Sequence, residues 1–128
     1  MKTIFLIDDD RLFHSTIKHL LKQIKGGEFS VVDFFDGKPA FEFLLSNLEN
    51  VKLLPDLILL DINLPEMNGW EFLNAYERIS QSIKKTIEIF MVTASVSNYD
   101  KSMSNSFRII NGYIAKPLSP EMLGRIIS

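Results

Sequence analysis

Five short apolar runs punctuate the chain, at Ile4 to Ile7, Phe29 to Phe35, Leu57 to Leu60, Ile87 to Val92 and Tyr113 to Ala115. Most are continuous rather than alternating, the pattern of strands covered on both faces, as in a parallel sheet. Stretches with helical spacing lie between them. Leu12, Phe13, Ile17, Leu20, Leu21 and Ile24 recur at three and four, and Gly26 and Gly27 offer a helix stop. Ala40, Phe41, Leu44, Leu45 and Leu48 follow Asp36, Gly37 and Pro39, which read as cap, turn and first-turn proline. Trp70, Leu73 and Tyr76, flanked by Phe72 and Ile79, form a third stripe behind Asn68 and Gly69. The fourth segment, SNYDKSMSNSFR, has only Tyr99, Met103 and Phe107 at useful spacing and is expected to be the least stable element. A fifth helix is expected from Ser119 and Pro120 through Met122, Leu123, Ile126 and Ile127.

Strand and helix alternating five times predict an α/β fold: a three-layer, doubly wound (βα)5 arrangement with right-handed crossovers and helices on both faces of a parallel sheet. The 128 residues suffice for one core, so a single domain over 1–128 is expected, without internal repeat, linker or tail. Composition narrows the function. With 46% apolar and 23% charged residues the chain should fold on its own. A net charge of −2, from 14 basic and 16 acidic residues, supplies no positive field for nucleic acid or for an anionic membrane surface. The absence of cysteine removes thiolate chemistry and disulfides, leaving oxygen or histidine to hold any metal. Ile4 to Ile7 is too short for a secretory segment, and Pro55, Asp56 and Asp61 interrupt LLPDLILLDINL, so no membrane span is expected and cytoplasmic is the default location.

Ligands of such a sheet sit at the carboxyl ends of the strands. The first strand ends in Asp8, Asp9 and Asp10, the third in Asp61, and the fourth in Thr93 and Ala94, while Lys116 and Pro117 follow the fifth. Carboxylates brought together there repel one another unless a cation neutralises them, and a hard divalent ion such as Mg2+ suits an all-oxygen site that must leave room for phosphate. A carboxylate beside such an ion can attack phosphorus to form an acyl phosphate, with lysine and a hydroxyl supporting the phosphoryl oxygens. Asp10 reads more simply as a helix N-cap, and His14 and His19 as solvated or packed positions of the first helix.

Four motifs, FLIDDD (5 to 10), DLILLDINLPEMNGWEF (56 to 72), MVTAS (91 to 95) and GYIAKPLSPE (112 to 121), resemble the receiver domains of two-component response regulators, in that family's order and spacing and over essentially the whole chain. The resemblance implies a flavodoxin-like fold with strand order 2-1-3-4-5. It also implies Asp61 as phosphoacceptor, Asp9 as a direct Mg2+ ligand, Asp8 holding the ion largely through water, and Asn63 offering its backbone carbonyl. Mn2+ would be a possible substitute. Thr93 is then the switch hydroxyl and Tyr113 the switch aromatic. Ala94 is the small neighbour that leaves the site open, and Lys116 the partner of the phosphate, followed by a cis peptide to Pro117. Asn63 and Ser95 fall where side chains meet the attacking water, and neither is an obvious base, so no unusually fast hydrolysis is expected. The implied partners are a histidine kinase or histidine phosphotransfer protein and a downstream protein that docks on the face of the fourth helix, fifth strand and fifth helix, with no output domain in the chain. Two other readings stay open: a pseudo-receiver that binds without using phosphate, and a phosphatase of the haloacid dehalogenase type with D-x-D at Asp8 and Asp10. The latter expects Thr or Val where Leu12 stands.

Overall fold

Alternate residues of the first strand enter two different cores. Phe5 and Ile7 join one, Ile4 and Leu6 the other, and all four are fully buried, which is why the run carries no polar residue. The computed structural model describes residues 1–24, 26–94 and 97–128. Among them, β1 (Lys2–Ile7), β2 (Phe29–Phe34), β3 (Leu57–Leu60), β4 (Glu88–Thr93) and β5 (Gly112–Ala115) alternate with α1 (Arg11–Lys22), α2 (Gly37–Ser46), α3 (Gly69–Ile79), α4 (Asn98–Ser106) and α5 (Pro120–Ile127). The strands pair in parallel in the order β2-β1-β3-β4-β5. The α/β fold, its layers and its strand order are those the sequence predicts.

One core lies between the sheet and α2, α3 and α4, where Leu44, Phe72 and Leu73 meet Phe5, Ile58 and Met91. The other lies beneath α1 and α5, where Ile17, Leu21, Leu123 and Ile126 cover Leu6, Leu57, Leu59 and Val92. β2 is an edge strand, and each of its residues is only partly buried. Strand limits shift by a residue or more from the apolar runs. β2 stops at Phe34, and β4 runs one residue later at both ends, because its pairing with β3 begins at Leu57 with Glu88 and that with β5 ends at Thr93 with Ala115.

The helix starts follow the capping residues. Asp10, Asp36, Asn68 and Ser119 each accept a backbone N–H of the first turn, and Asn68 with Glu71 forms a reciprocal capping box. The predicted apolar stripes are wider than the real ones. Leu12 is 73% exposed and Leu45 49%, since each sits about 100° or more around its helix from the buried residues Phe13, Ile17 and Leu21 or Ala40 and Leu44. Met103 in α4 and Phe107 just beyond its end pack on the core, whereas Tyr99, in the first turn, is 66% exposed. α1 ends at Lys22, ahead of the glycine pair, and Gly26 with φ +84° belongs to the turn into β2.

Gly124 lies inside α5 with nothing within 4 Å of where a Cβ would stand. Gly124→Ala is expected to raise stability by about 0.5–1 kcal/mol through helix propensity alone, read by urea denaturation. A loss would mean that the face is not open.

Candidate functional site

The strand register continues past the last paired residues and brings the site together. Ile7 stands opposite Leu60. The Asp61 N–H donates to the Ile7 carbonyl at 2.9 Å and the Asp8 N–H to the Phe34 carbonyl at 3.0 Å, so Asp8 and Asp61 leave the sheet side by side. At the other edge, the Lys116 N–H donates to the Thr93 carbonyl at 2.8 Å. Each residue is thus placed by main-chain bonds of the sheet, and the side chains converge because the strands are parallel.

Asp8, Asp9 and Asp61 can each offer one carboxylate oxygen, all within 4.8 Å of one another. Asp8 and Asp61 are buried, at 1% and 7% exposure, and Asp9 is exposed. Three carboxylates face one ammonium: Lys116 Nζ lies 2.7 Å from Asp8 Oδ2 and 3.9 Å from Asp61 Oδ2, and 4.4 Å from the centre of the Phe13 ring. The contact with Asp8 is an ion pair without the angles of a hydrogen bond, leaving Asp8 Oδ2 buried with no hydrogen-bond partner among the described residues. Asp61 Oδ1 accepts from the Ile62 N–H at 2.8 Å. Burial first, and then the charge of Asp8, push the Asp61 carboxyl up to about 6, against the pull of Lys116 and the backbone N–H groups of Ile62 and Asn63. Oxygen donors alone, with three carboxylates against one ammonium, fit a hard divalent cation.

Two hydroxyls complete the rim. Thr93 Oγ1 and Tyr113 Oη are buried without hydrogen-bond partners among the described residues. Burial first, then the charges of Asp100 and Asp61, push the Tyr113 phenol up. Ala94 is exposed beside Thr93, and Asn63 is exposed after Asp61. The peptide between Lys116 and Pro117 is cis. Ser95 lies outside the described residues. Asp10 is spent on capping α1, accepting from the Leu12 and Phe13 N–H groups, and the D-x-D reading of Asp8 and Asp10 loses its second member to that cap.

The loop after Asp61 is fastened from a distance. Asp36, the cap of α2, also accepts from the Glu66 and Met67 N–H groups, and the Gly37 N–H donates to the Met67 carbonyl at 3.2 Å. Sequence reasoning takes His14 as a solvated or packed helix position, and the structure buries it at 3% exposure, but the reading missed the engagement of both ring nitrogens and the partner Asp33 on β2. A polar residue one place along from the apolar Phe13 was the sole signal. It also gave no role to Trp70, whose Nε1 donates to Asp100 at 3.3 Å and whose ring stacks on Phe107, joining α3 to α4.

Comparison with known proteins agrees with this geometry. Residues 4–128 match the family model described as response regulator receiver domain. The nitrate/nitrite response regulator protein NarL of Escherichia coli is 33% identical over 123 residues, which cover 94% of this chain and 50% of NarL. The chain therefore spans about half the length of that relative. A two-component response regulator from Legionella pneumophila superposes with a TM-score of 0.81 at 29% identity, covering 99% of this chain and 95% of that one. The Mn(2+)-bound form of response regulator Rcp1 superposes at 0.78 with 26% identity, covering 98% and 89%. Among the described residues, no helix is long and apolar enough to cross a membrane.

Proposed function

The chain belongs to the response regulator receiver domain family, and on that premise we propose that Asp61 is its phosphoacceptor, charged from a phosphohistidine of a histidine kinase or histidine phosphotransfer protein. The observation that carries this reading is the meeting of Asp8, Asp9, Asp61 and Lys116 at one rim of the sheet. Asp61 Oδ1 is tied to the Ile62 N–H, so Oδ2, on the Lys116 side, is the attacking oxygen. The new bond joins Oδ2 to phosphorus as the P–N bond breaks, and the electron pair leaves with the imidazole nitrogen, which takes up a proton. In the reverse direction of the signal, a water oxygen attacks phosphorus, the P–O bond to Asp61 breaks, and carboxylate and inorganic phosphate result. Both steps depend on placement and charge neutralisation more than on covalent help from the protein.

Asp8, Asp9, Asp61 and the Asn63 carbonyl would hold Mg2+, with Mn2+ able to substitute, as the Mn(2+)-bound Rcp1 supports. Bound there, the ion neutralises the carboxylates and the charge of the phosphoryl oxygens. Lys116 pairs with the phosphoryl group, and Ala94, beside Ser95, leaves it room to enter. The unpartnered hydroxyls of Thr93 and Tyr113 are the movable parts. Thr93 donates to the phosphoryl oxygen, Tyr113 follows inward, and the face of α4, β5 and α5 changes its affinity for a downstream protein. We read the chain as a cytoplasmic receiver domain that signals by phosphorylation-dependent binding or by relay.

Intact mass after incubation with a small acyl-phosphate donor tests this reading. Wild type should gain one phosphoryl group, and only with Mg2+. No gain from that donor, nor from a phosphorylated histidine phosphotransfer domain, would leave a binding module that does not use phosphate.

A further inference from the structure

We infer that His14 is a positioning residue for the metal site, acting through the main chain of Asp8, an inference that rests on the reading of Asp8 and Asp9 as metal ligands. His14 Nε2 lies 2.7 Å from the Asp8 carbonyl oxygen, and Nδ1 2.7 Å from Asp33 Oδ1. The Asp8 carbonyl can only accept, so Nε2 is the donor to it, and Nδ1 stands against the Asp33 carboxylate. Asp33 is in turn paired with Lys18, and the imidazole rests on Phe35 at 4.6 Å between ring centres. The ring is therefore clamped between β2 and the β1–α1 connection, and its buried position leaves it one orientation.

The consequence falls on Asp8 and Asp9. Asp8 is held at its N–H by Phe34, at its carbonyl by His14, and at Oδ1 by the Asp10 N–H at 2.8 Å. Only Oδ2 remains, facing Lys116 and the site. The Asp8 carbonyl shares a rigid peptide plane with the Asp9 nitrogen and Cα, so fixing that carbonyl fixes the point from which the exposed Asp9 side chain leaves the chain. Asp9 owes its place in the cluster to its backbone, and His14 holds that backbone. Removing the donor would strand a carbonyl and free the peptide to rotate, and partners of this kind around metal ligands affect affinity by about 10- to 100-fold.

Two substitutions separate this role from simple packing. His14→Asn keeps a donor near the Nδ1 position, towards Asp33, but is too short to reach Asp8; His14→Gln reaches the Nε2 position. Mg2+ affinity is measured by calorimetry, amide hydrogen exchange at Asp9 and Asp10 without metal, and stability by urea denaturation in chelator. The expected result is a loss of about 10-fold or more in Mg2+ affinity and faster exchange for His14→Asn. His14→Gln should recover both readouts, although each variant loses one hydrogen bond and comparable stability. Equal effects of the two substitutions, or none, on affinity and exchange would overturn the inference while leaving the metal site intact. Failure of the wild type to bind Mg2+ would instead overturn the reading of the site and the inference with it.

Discussion

Asp61→Asn will gain no phosphoryl group under conditions in which the wild type gains one, and in chelator at neutral pH it will be the more stable protein by on the order of 2 kcal/mol. The first result follows from losing the attacking oxygen. The second follows from burial and the Asp8 charge, which push the Asp61 carboxyl up to about 6, whereas an unfolded chain releases that proton near 4. Between about 4 and about 6 the folded state holds a proton the unfolded state has lost. Stability without metal therefore falls as pH rises through that window and levels off above it. Asparagine removes both the slope and the charge. Added Mg2+ favours the ionised carboxylates and should stabilise the wild type while leaving the variant nearly unmoved. Urea denaturation between pH 4 and pH 8, with and without Mg2+, checks both halves. A variant that keeps the slope, or that is less stable throughout, would mean that Asp61 is not the strained group.

Gly69→Ala is expected to cost about 2–3 kcal/mol and to slow phosphoryl uptake about tenfold, a barrier change of about 1.4 kcal/mol. A Cβ on Gly69 would stand 2.6 Å from the Asp61 carbonyl oxygen and 2.9 Å from the Ile62 Cα. Both are main-chain atoms of the segment that carries Asp61, so no side chain can swing aside. The Gly69 N–H also donates to the Ile62 carbonyl at 2.8 Å, which ties the start of α3 to the same two residues. The start of α3 must retreat or Asp61 must shift, and the first costs stability while the second costs rate. Denaturation and the time course of intact mass measure the two separately. An alanine variant with unchanged rate and stability would show that the loop is free to yield.

Much of this is legible in the sequence itself. The continuous runs of β1 and β3 are apolar at every position because both faces are covered, and Asp36, Asn68 and Ser119 announce helix starts by their own hydrogen-bonding chemistry. The acidic cluster was readable for the same reason: parallel strands bring their carboxyl ends to one rim. What escaped depends on neighbours far along the chain. Leu12 and Leu45 match the helical period but lie just off the covered line, and period alone does not give the width of that line. His14 meets Asp33 only because β2 lies beside β1, and no local pattern joins the two. The role of Gly69 depends on a carbonyl it touches across a turn. Its own residue type reveals only that a turn is near.

Lys116 and Asp8 meet at 2.7 Å across nearly the whole length of the chain, with Asp61 between them in sequence and beside them in space. No fragment of the sheet contains the reacting centre. β1 and β2 can pair first, but Asp61 arrives only with β3, and its lysine only after β4 and β5 have closed the order. Pairings of such sequence separation form late, because loop-closure entropy must be overcome before they reward it. A chain emerging during synthesis thus exposes Asp61 before Lys116 exists to meet it. Under the proposed role of Asp61, competence to take up phosphate is in this sense a certificate of completed folding.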